Sequence, residues 1–191
     1  QKFRKNNFIF QECLQCNTLY CSPRPSEKQL QKFYYESESS RFWAEVFFPA
    51  VAEVRREKIF RPKAQALWKL LEKRKFRPKN IYDVGAGYGI FLEELRQFWP
   101  EIHLYAIEPY RELAQVCQKK GFCTFQTTAE NTEWLSMCAN LVTSFEVIEH
   151  VFDSMKFIHA LYNLVKPGGY CLVTGLSCEG FDIQILQEDS K

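Results

Sequence analysis

The chain has 191 residues, a length that suits one core domain with a small appendage. It is 46% hydrophobic and 16% aromatic, with 17 Phe, which supplies a packed interior and argues against disorder. A formal net charge of +2 gives no global electrostatic case for nucleic acid or a membrane surface, and no apolar run approaches the ~20 residues of a membrane span.

Eight Cys are scattered, most of them inside apolar segments, which favours reduced thiols in a cytoplasmic protein over a disulfide framework. No signal peptide is visible. The chain opens at Gln1 without Met and stops at Lys191 soon after an expected strand, so both ends read as cut from something longer. Residues 1–25 carry Cys13-Leu-Gln-Cys16, the C-x-x-C spacing that lets two thiolates reach one tetrahedral ion. Cys21 fits only awkwardly as a third ligand, and no second C-x-x-C is present; the alternative is a reduced hairpin covering one edge of the core. Pro23 and Pro25 mark a linker. Ser26 to Tyr35 then predicts a capped helix, with Leu30, Phe33 and Tyr34 on one face.

Residues 35–48 mix serines with aromatics, among them Ser37, Ser39, Phe42 and Trp43. Glu53 to Phe76 predicts a long basic helix with Val54, Phe60, Ala64, Leu67, Leu70 and Leu71 inward, kinked or broken at Pro62. Its Arg and Lys residues, from Arg55 to Lys79, either face an anionic partner or form a solvated surface interleaved with Glu53, Glu57 and Glu72.

The chain is organised around Ile81-Tyr-Asp83-Val-Gly85-Ala-Gly87-Tyr88-Gly89, followed by the amphipathic stretch Ile90 to Phe98. This reads as strand, tight glycine turn, helix, with a ligand site at the carboxyl end of the strand. The dinucleotide fingerprint would need glycine at position 90, where Ile90 stands, which disfavours a nicotinamide oxidoreductase. A second strand, Ile102 to Ile107, ends at Glu108-Pro109; an acid there can accept from two vicinal ribose hydroxyls, and the alternative is an ordinary loop acid. Pro109 opens a helix that carries Leu113, Val116 and Cys117 inward and stops at Gly121. Phe122 to Phe125 predicts strand three, before Thr128-Ala-Glu130. Asn140 to Phe145 predicts strand four, running into Glu146-Val-Ile-Glu149-His150. Asp153-Ser154 caps the next helix, and Lys166-Pro167-Gly168-Gly169 predicts a tight turn into strand five, Cys171 to Gly175. Residues 180–186 begin a further element.

Asp83–Gly89, Glu108, Glu146–His150 and Pro167–Gly169, in this order, resemble the motifs of class I S-adenosylmethionine-dependent methyltransferases, in particular those akin to ubiquinone-biosynthesis O-methyltransferases. The resemblance spans about residues 78–176. It implies an α/β fold with a mainly parallel Rossmann-like sheet that lacks its last strands here, behind an N-terminal helical and cysteine-bearing arm. The implied division is residues 1–25 as the remnant of a zinc-ribbon-like segment, 26–77 as a helical arm and 78–191 as a C-terminally truncated S-adenosylmethionine-binding core. The segment from Cys13 and Cys16 to Pro25 is similar to the second half of the zinc ribbon that precedes many such enzymes, with Asn17 in place of the usual glycine; zinc would belong to the full-length ribbon.

By the same resemblance, Asp83, Gly85, Gly87, Glu108, Pro109, Glu130, Phe145 and Glu146 would hold S-adenosylmethionine, Glu130 at the adenine; residues 35–48 would lie over the cofactor and help wall the substrate pocket, the alternative being simple hydrophobic docking of an N-terminal helix. Glu149 and His150 would face the acceptor, His150 as general base or substrate contact. A related E-x-x-E-H pattern in RNA 3′-end 2′-O-methyltransferases binds a divalent ion, but the second downstream histidine is not evident here. The implied reaction is methyl transfer to an unidentified acceptor, a small molecule with an O- or C-nucleophile, by in-line displacement. The alternative is a domain that binds the cofactor, or serves as a scaffold, without turnover. The acceptor is unknown, with sugars, quinone precursors and nucleic-acid ends all open, as is the oligomeric state.

Overall fold

The structure, a computed structural model, describes residues 2–5, 7–36, 41–177, 179–180 and 185–186. Most of the further element expected at 180–186 therefore lies outside the described residues, as do Ser37 and Ser39.

The chain begins with a small antiparallel sheet of β1 (Phe3–Lys5), β2 (Phe8–Glu12) and β3 (Leu19–Cys21), in that order. The β2–β3 turn carries Cys13 and Cys16, and Asn17 within it has φ +58°. Asn tolerates that left-handed conformation better than most residues, so it can stand where related turns use glycine. Helix α1 (Glu27–Glu36) follows the proline linker. Ser26 caps it reciprocally: its hydroxyl accepts from the Gln29 N–H at 3.3 Å, and its own N–H donates to Gln29 Oε1 at 2.9 Å.

The helical run that holds the basic stretch is already formed at Arg41, well before Glu53. A π-helical turn (Trp43–Phe47) leads into α2 (Phe48–Arg55), a second π turn (Arg56–Phe60) and α3 (Arg61–Lys73). The expected kink or break at Pro62 is resolved by this second π turn. The wider turn resets the hydrogen-bond frame, so Pro62 falls in the first turn of a new α segment, where its missing N–H costs little.

The main sheet has the order β6-β5-β4-β7-β8, every neighbouring pair parallel. Its strands are β4 (Asn80–Val84), β5 (His103–Ile107), β6 (Cys123–Phe125), β7 (Ala139–Phe145) and β8 (Val165–Thr174). The crossovers run through α4 (Ile90–Phe98), α5 (Arg111–Lys119), two short 3-10 turns and α6 (Ser154–Leu164). The chain order reverses between β4 and β7, and ligands of open α/β sheets bind at such a switch point.

Alternation along the strands covers both faces. Ile81, Leu104, Ala106 and Leu141 face a core built with Leu67, Leu71, Phe91 and Leu95. Tyr82, Val84, Ile107 and Val142 face a second core with Phe157, Leu161 and Leu164 of α6. On that second face the Tyr82 and Tyr105 rings stack at 4.3 Å, with Phe125 beside them. Two local details differ from expectation. Pro109 lies one residue ahead of the helix cap Tyr110 rather than in the first turn. Pro167–Gly169 is a bulge inside β8 rather than a turn before it: Val165 pairs with Ala139, Tyr170 pairs with Leu141, and Gly168, at φ +79°, takes up the excess chain.

The basic run is only partly solvated. Lys69, Lys73, Arg74, Lys75, Arg77 and Lys79 are exposed. Arg56 and Arg61, in contrast, grip Glu94 of α4, whose side chain is fully buried. Arg56 Nη1 donates to Glu94 Oε1 at 2.8 Å and Nη2 to Glu93 Oε2 at 2.7 Å; Arg61 Nε donates to Glu94 Oε2 at 3.0 Å. Lys120 also reaches Glu93, at 2.9 Å. The hydrogen bond that Arg56 donates to Glu94 raises the Arg56 pKa further. Burial by itself would raise Glu93, but the Arg56 and Lys120 hydrogen bonds outweigh it and its pKa falls. This network fixes the helical run over the start of α4, beside the glycine turn.

Candidate functional site

Two carboxylates stand at the ends of the two central strands. Asp83, near the end of β4, is 3% exposed, and its Oδ1 accepts from Thr143 Oγ1 at 2.7 Å. Burial raises its pKa to about 7; the Thr143 hydrogen bond opposes the rise, the Glu108 charge adds to it and Lys63 counters it. Glu108, just past β5, is 5% exposed. Its Oε1 accepts from the Tyr110 N–H at 2.9 Å and its Oε2 from the Gly87 N–H at 2.8 Å, yet burial still pushes its pKa up to about 7. Each Glu108 oxygen keeps acceptor capacity for a ligand hydroxyl.

The glycine turn is shaped by what surrounds it. A Cβ on Gly85, at φ +75°, would meet Val147 Cγ2 at 2.3 Å, so this glycine lets the turn and the loop after β7 close on each other. Gly87, at φ +54°, has nothing nearer than the Gly85 carbonyl oxygen at 4.0 Å and borders open space, where a ligand can approach the backbone.

That space is a cavity of ≈ 580 Å³. Its floor is Asp83 and the glycine turn, and one wall is Phe145 to Val147. The opposite wall comes from the helical run, with Phe48, Arg55, Phe60 and Lys63. Phe48 stacks on Tyr88 of the glycine turn at 6.4 Å. Lys63 Nζ stands 4.7 Å over the Phe145 ring and 3.5 Å from Glu146 Oε1. Glu146 leaves β7 at φ +55°; its N–H donates to the Thr174 carbonyl at 3.1 Å, and its Oε1 accepts from Thr174 Oγ1 at 2.8 Å. This left-handed turn carries the chain away from the sheet, and β8 holds it there.

Of the residues singled out in sequence, Asp83, Gly85, Gly87, Phe145 and Glu146 line this one cavity. Glu108 lies behind the turn, bonded to Gly87, with half-buried Pro109 beside it. Glu130 is half-buried in the 3-10 turn Ala129–Asn131 and does not line the cavity. Glu149 and His150 are exposed in the turn beyond Glu146, also outside the lining. The His150 ring meets Tyr34 of α1 edge-on at 6.2 Å, and the Tyr34 pKa is raised by burial and by the Glu149 charge. A Cβ on Gly175, which does line the cavity, would lie 3.5 Å from Glu149 Oε2, so Glu149 is close to the rim.

Cys13 and Cys16 share the β2–β3 turn. The Cys16 thiol pKa is lowered, chiefly by its hydrogen bond with Thr18. Among the described residues no group of three or more His, Cys, Asp or Glu could hold a metal ion. No helix among them is long and apolar enough to cross a membrane.

Sequence reasoning placed residues 35–48, with Phe48 among them, over the pocket, but missed the rest of this wall. Arg55 and Lys63 read as two members of a basic stretch, and Phe60 as an apolar residue on its inward face. The available signal was the spacing of Phe48, Arg55, Ile59 and Lys63, which returns to one helical face.

A family model described as a methyltransferase domain matches residues 54–184. The mitochondrial ubiquinone biosynthesis O-methyltransferase of Rattus norvegicus is 32% identical over 109 residues, covering 50% of this chain and 30% of that protein. Trans-aconitate 2-methyltransferase of Pseudomonas aeruginosa is 29% identical over 96 residues, covering 50% of this chain and 34% of that protein. The chain thus spans well under half the length of these two relatives. Among solved structures, the plantazolicin methyltransferase BpumL, in complex with a pentazolic desmethylPZN analog and SAH, superposes with a TM-score of 0.60 at 15% identity, over 85% of this chain and 66% of that one. A sugar N-methyltransferase from Streptoalloteichus gives a TM-score of 0.58 at 17% identity, over 72% of this chain and 56% of that one.

Proposed function

The chain belongs to the methyltransferase domain family, with the class I fold, and from that footing we propose that it transfers a methyl group from S-adenosylmethionine to a small-molecule acceptor bearing an O- or C-nucleophile. The observation that carries this reading is the pairing of two buried carboxylates with an open glycine turn at the switch point of the sheet. The cofactor's sulfonium supplies an already activated methyl group. Asp83, held near 7 by burial, gains from a cation placed beside it. Glu108, anchored by the Gly87 and Tyr110 N–H groups, has lone pairs left for a pair of hydroxyls. The residues present therefore fit the cofactor. The protein's remaining task is to orient the acceptor in line and exclude water, which suits the aromatic wall of the helical run.

Glu149 and His150 are proposed as the groups nearest the acceptor that could take a proton from a hydroxyl; the closeness of Glu149 to Gly175 at the cavity rim supports this. The names of two relatives, a ubiquinone biosynthesis O-methyltransferase and a trans-aconitate 2-methyltransferase, support a small organic acceptor, in line with a confined cavity.

The test is calorimetric titration with S-adenosylmethionine, S-adenosylhomocysteine and NADH, followed by methyl transfer from labelled cofactor to a panel of hydroxylated acceptors. The expected result is saturable binding of the first two only, weakened at least tenfold in Glu108→Ala. A folded chain that binds neither would overturn the reading. Binding without transfer to any acceptor would favour the non-catalytic alternative.

A further inference from the structure

We propose that Arg55 is the receptor for an anionic group, a carboxylate, on the methyl acceptor. This rests on the methyl-transfer reading above and extends it to substrate class.

The cations of the helical run differ in what they face. Arg56 and Arg61 are spent on Glu93 and Glu94, and Lys63 is paired with Glu146. Arg55 lines the cavity, and among the described residues no carboxylate pairs with it. Its guanidinium stands over two rings instead, 5.7 Å from Phe48 and 5.4 Å from Phe60. Those rings position the cation without neutralising it. Half-buried, it feels desolvation, which lowers its pKa, so a bound anion would relieve a cost the fold already bears. The planar fork of Arg matches a carboxylate with two parallel hydrogen bonds. The flanking Phe48 and Phe60 suit an apolar or aromatic body attached to that carboxylate.

The cofactor has a carboxylate too, and position favours the acceptor as the source. Lys63 is the cation whose charge reaches Asp83, the residue at the floor of the glycine turn. Arg55 precedes Lys63 by eight residues, about two turns with the π turn Arg56–Phe60 between them. Its guanidinium sits against Phe48 and Phe60 rather than Asp83. The Arg55 end of the cavity is assigned to the acceptor, and the S-adenosylhomocysteine affinity of Arg55→Gln separates that source from the cofactor's own carboxylate.

The experiment uses the whole chain saturated with S-adenosylhomocysteine, into which benzoate, or its neutral isostere benzamide, is titrated. Wild type, Arg55→Gln and Arg55→Lys are compared, with S-adenosylhomocysteine affinity measured first as the check on folding and on the cofactor site. The expected result is benzoate binding at least tenfold tighter than benzamide in wild type. Arg55→Gln should lose that preference, Arg55→Lys should keep part of it, and the S-adenosylhomocysteine Kd should stay within about twofold throughout. Equal benzoate binding by wild type and Arg55→Gln would overturn the proposal, as would wild type that binds S-adenosylhomocysteine but shows no preference for benzoate. A tenfold loss of S-adenosylhomocysteine affinity in Arg55→Gln would assign Arg55 to the cofactor's carboxylate and overturn it as well. Failure of folded wild type to bind S-adenosylhomocysteine would instead sink the methyl-transfer reading, before any benzoate is added.

Discussion

Asp83 ionises near 3.8 when free and near 7 in the folded chain, and that difference is a statement about stability. Between those values the folded state keeps a proton that the unfolded chain has released. Stability therefore falls as pH rises from about 4 to about 7 and levels off above that, by about 1.4 kcal/mol for each pH unit of the window at most. Glu108 acts in the same direction, raised by its own burial, and its charge adds to the rise at Asp83. Asp83→Asn removes one ionisation while its amide oxygen can still accept from Thr143. The variant should gain thermal stability relative to wild type as pH is raised from 5 to 7.5, while its affinity for S-adenosylmethionine falls at least tenfold. Parallel melting curves across that range check the first point; a constant offset between the two proteins would contradict the assignment. The glycines separate in the same way. Gly85→Ala combines a strained φ with a 2.3 Å clash against Val147, and should cost on the order of 2–4 kcal/mol in urea denaturation. Gly87→Ala meets no neighbour and should cost only about 1–2 kcal/mol of backbone strain, its larger effect being lost cofactor binding.

At the scale of elements, the helical run from Trp43 to Lys73 becomes part of the site because α4 holds it there. Glu94 is the anchor: a fully buried carboxylate facing two guanidinium groups. Glu94→Gln keeps the shape and removes the charge, leaving Arg56 and Arg61 against a neutral amide. The expected loss is about 2–4 kcal/mol in urea denaturation, since removing one partner of a buried pair uncovers the desolvation of the other. A weaker affinity for S-adenosylmethionine should accompany it, because Phe48 and Lys63 ride on the same run. If stability fell and affinity did not, the run would not position the site. This clamp was hard to read in sequence. Glu94 sits in an amphipathic stretch where acids usually face water, and Arg56 and Arg61 looked like two charges among many. Nothing local marks which of eleven basic residues between Arg55 and Lys79 turns inward. Pro62 was legible as an interruption, but the chain's answer, a π turn that lets the helix restart, depends on packing against α4. The Pro167–Gly169 segment likewise has turn chemistry; only the partner strand β7 decides that the ladder resumes on both sides of it.

At the scale of the molecule, the parallel sheet and the floor of the site were legible because each rests on short-range constraints: apolar strand, acid at its end, glycine at positive φ, helix. The cavity wall beyond Phe48 was not, because Arg55, Phe60 and Lys63 belong to an element distant in sequence and placed by tertiary contacts. The same distinction applies to the N-terminal sheet, whose position no local pattern encodes. Just after it, Arg24 reaches the core: its Nη1 donates to the Phe152 carbonyl at 2.6 Å and its guanidinium stands 4.2 Å over the Phe152 ring. Phe152 follows the turn that carries Glu149 and His150, and Tyr34 of α1 meets His150. The proline linker and α1 thus both meet the segment from Glu149 to Phe152. An exposed cation–ring contact contributes ~0.5–1 kcal/mol, little beside a cooperative core. Arg24→Ala should therefore leave the urea midpoint of the core unchanged while the linker around Pro23 and Pro25 becomes open to limited proteolysis. If methyl transfer is then measured, the substitution should lower turnover more than it changes cofactor affinity, because it loosens the turn that bears Glu149 and His150 without touching Asp83 or Glu108. A cofactor affinity that fell in step with turnover would mean that the arm supports the whole site, and that this sheet is part of the core rather than docked upon it.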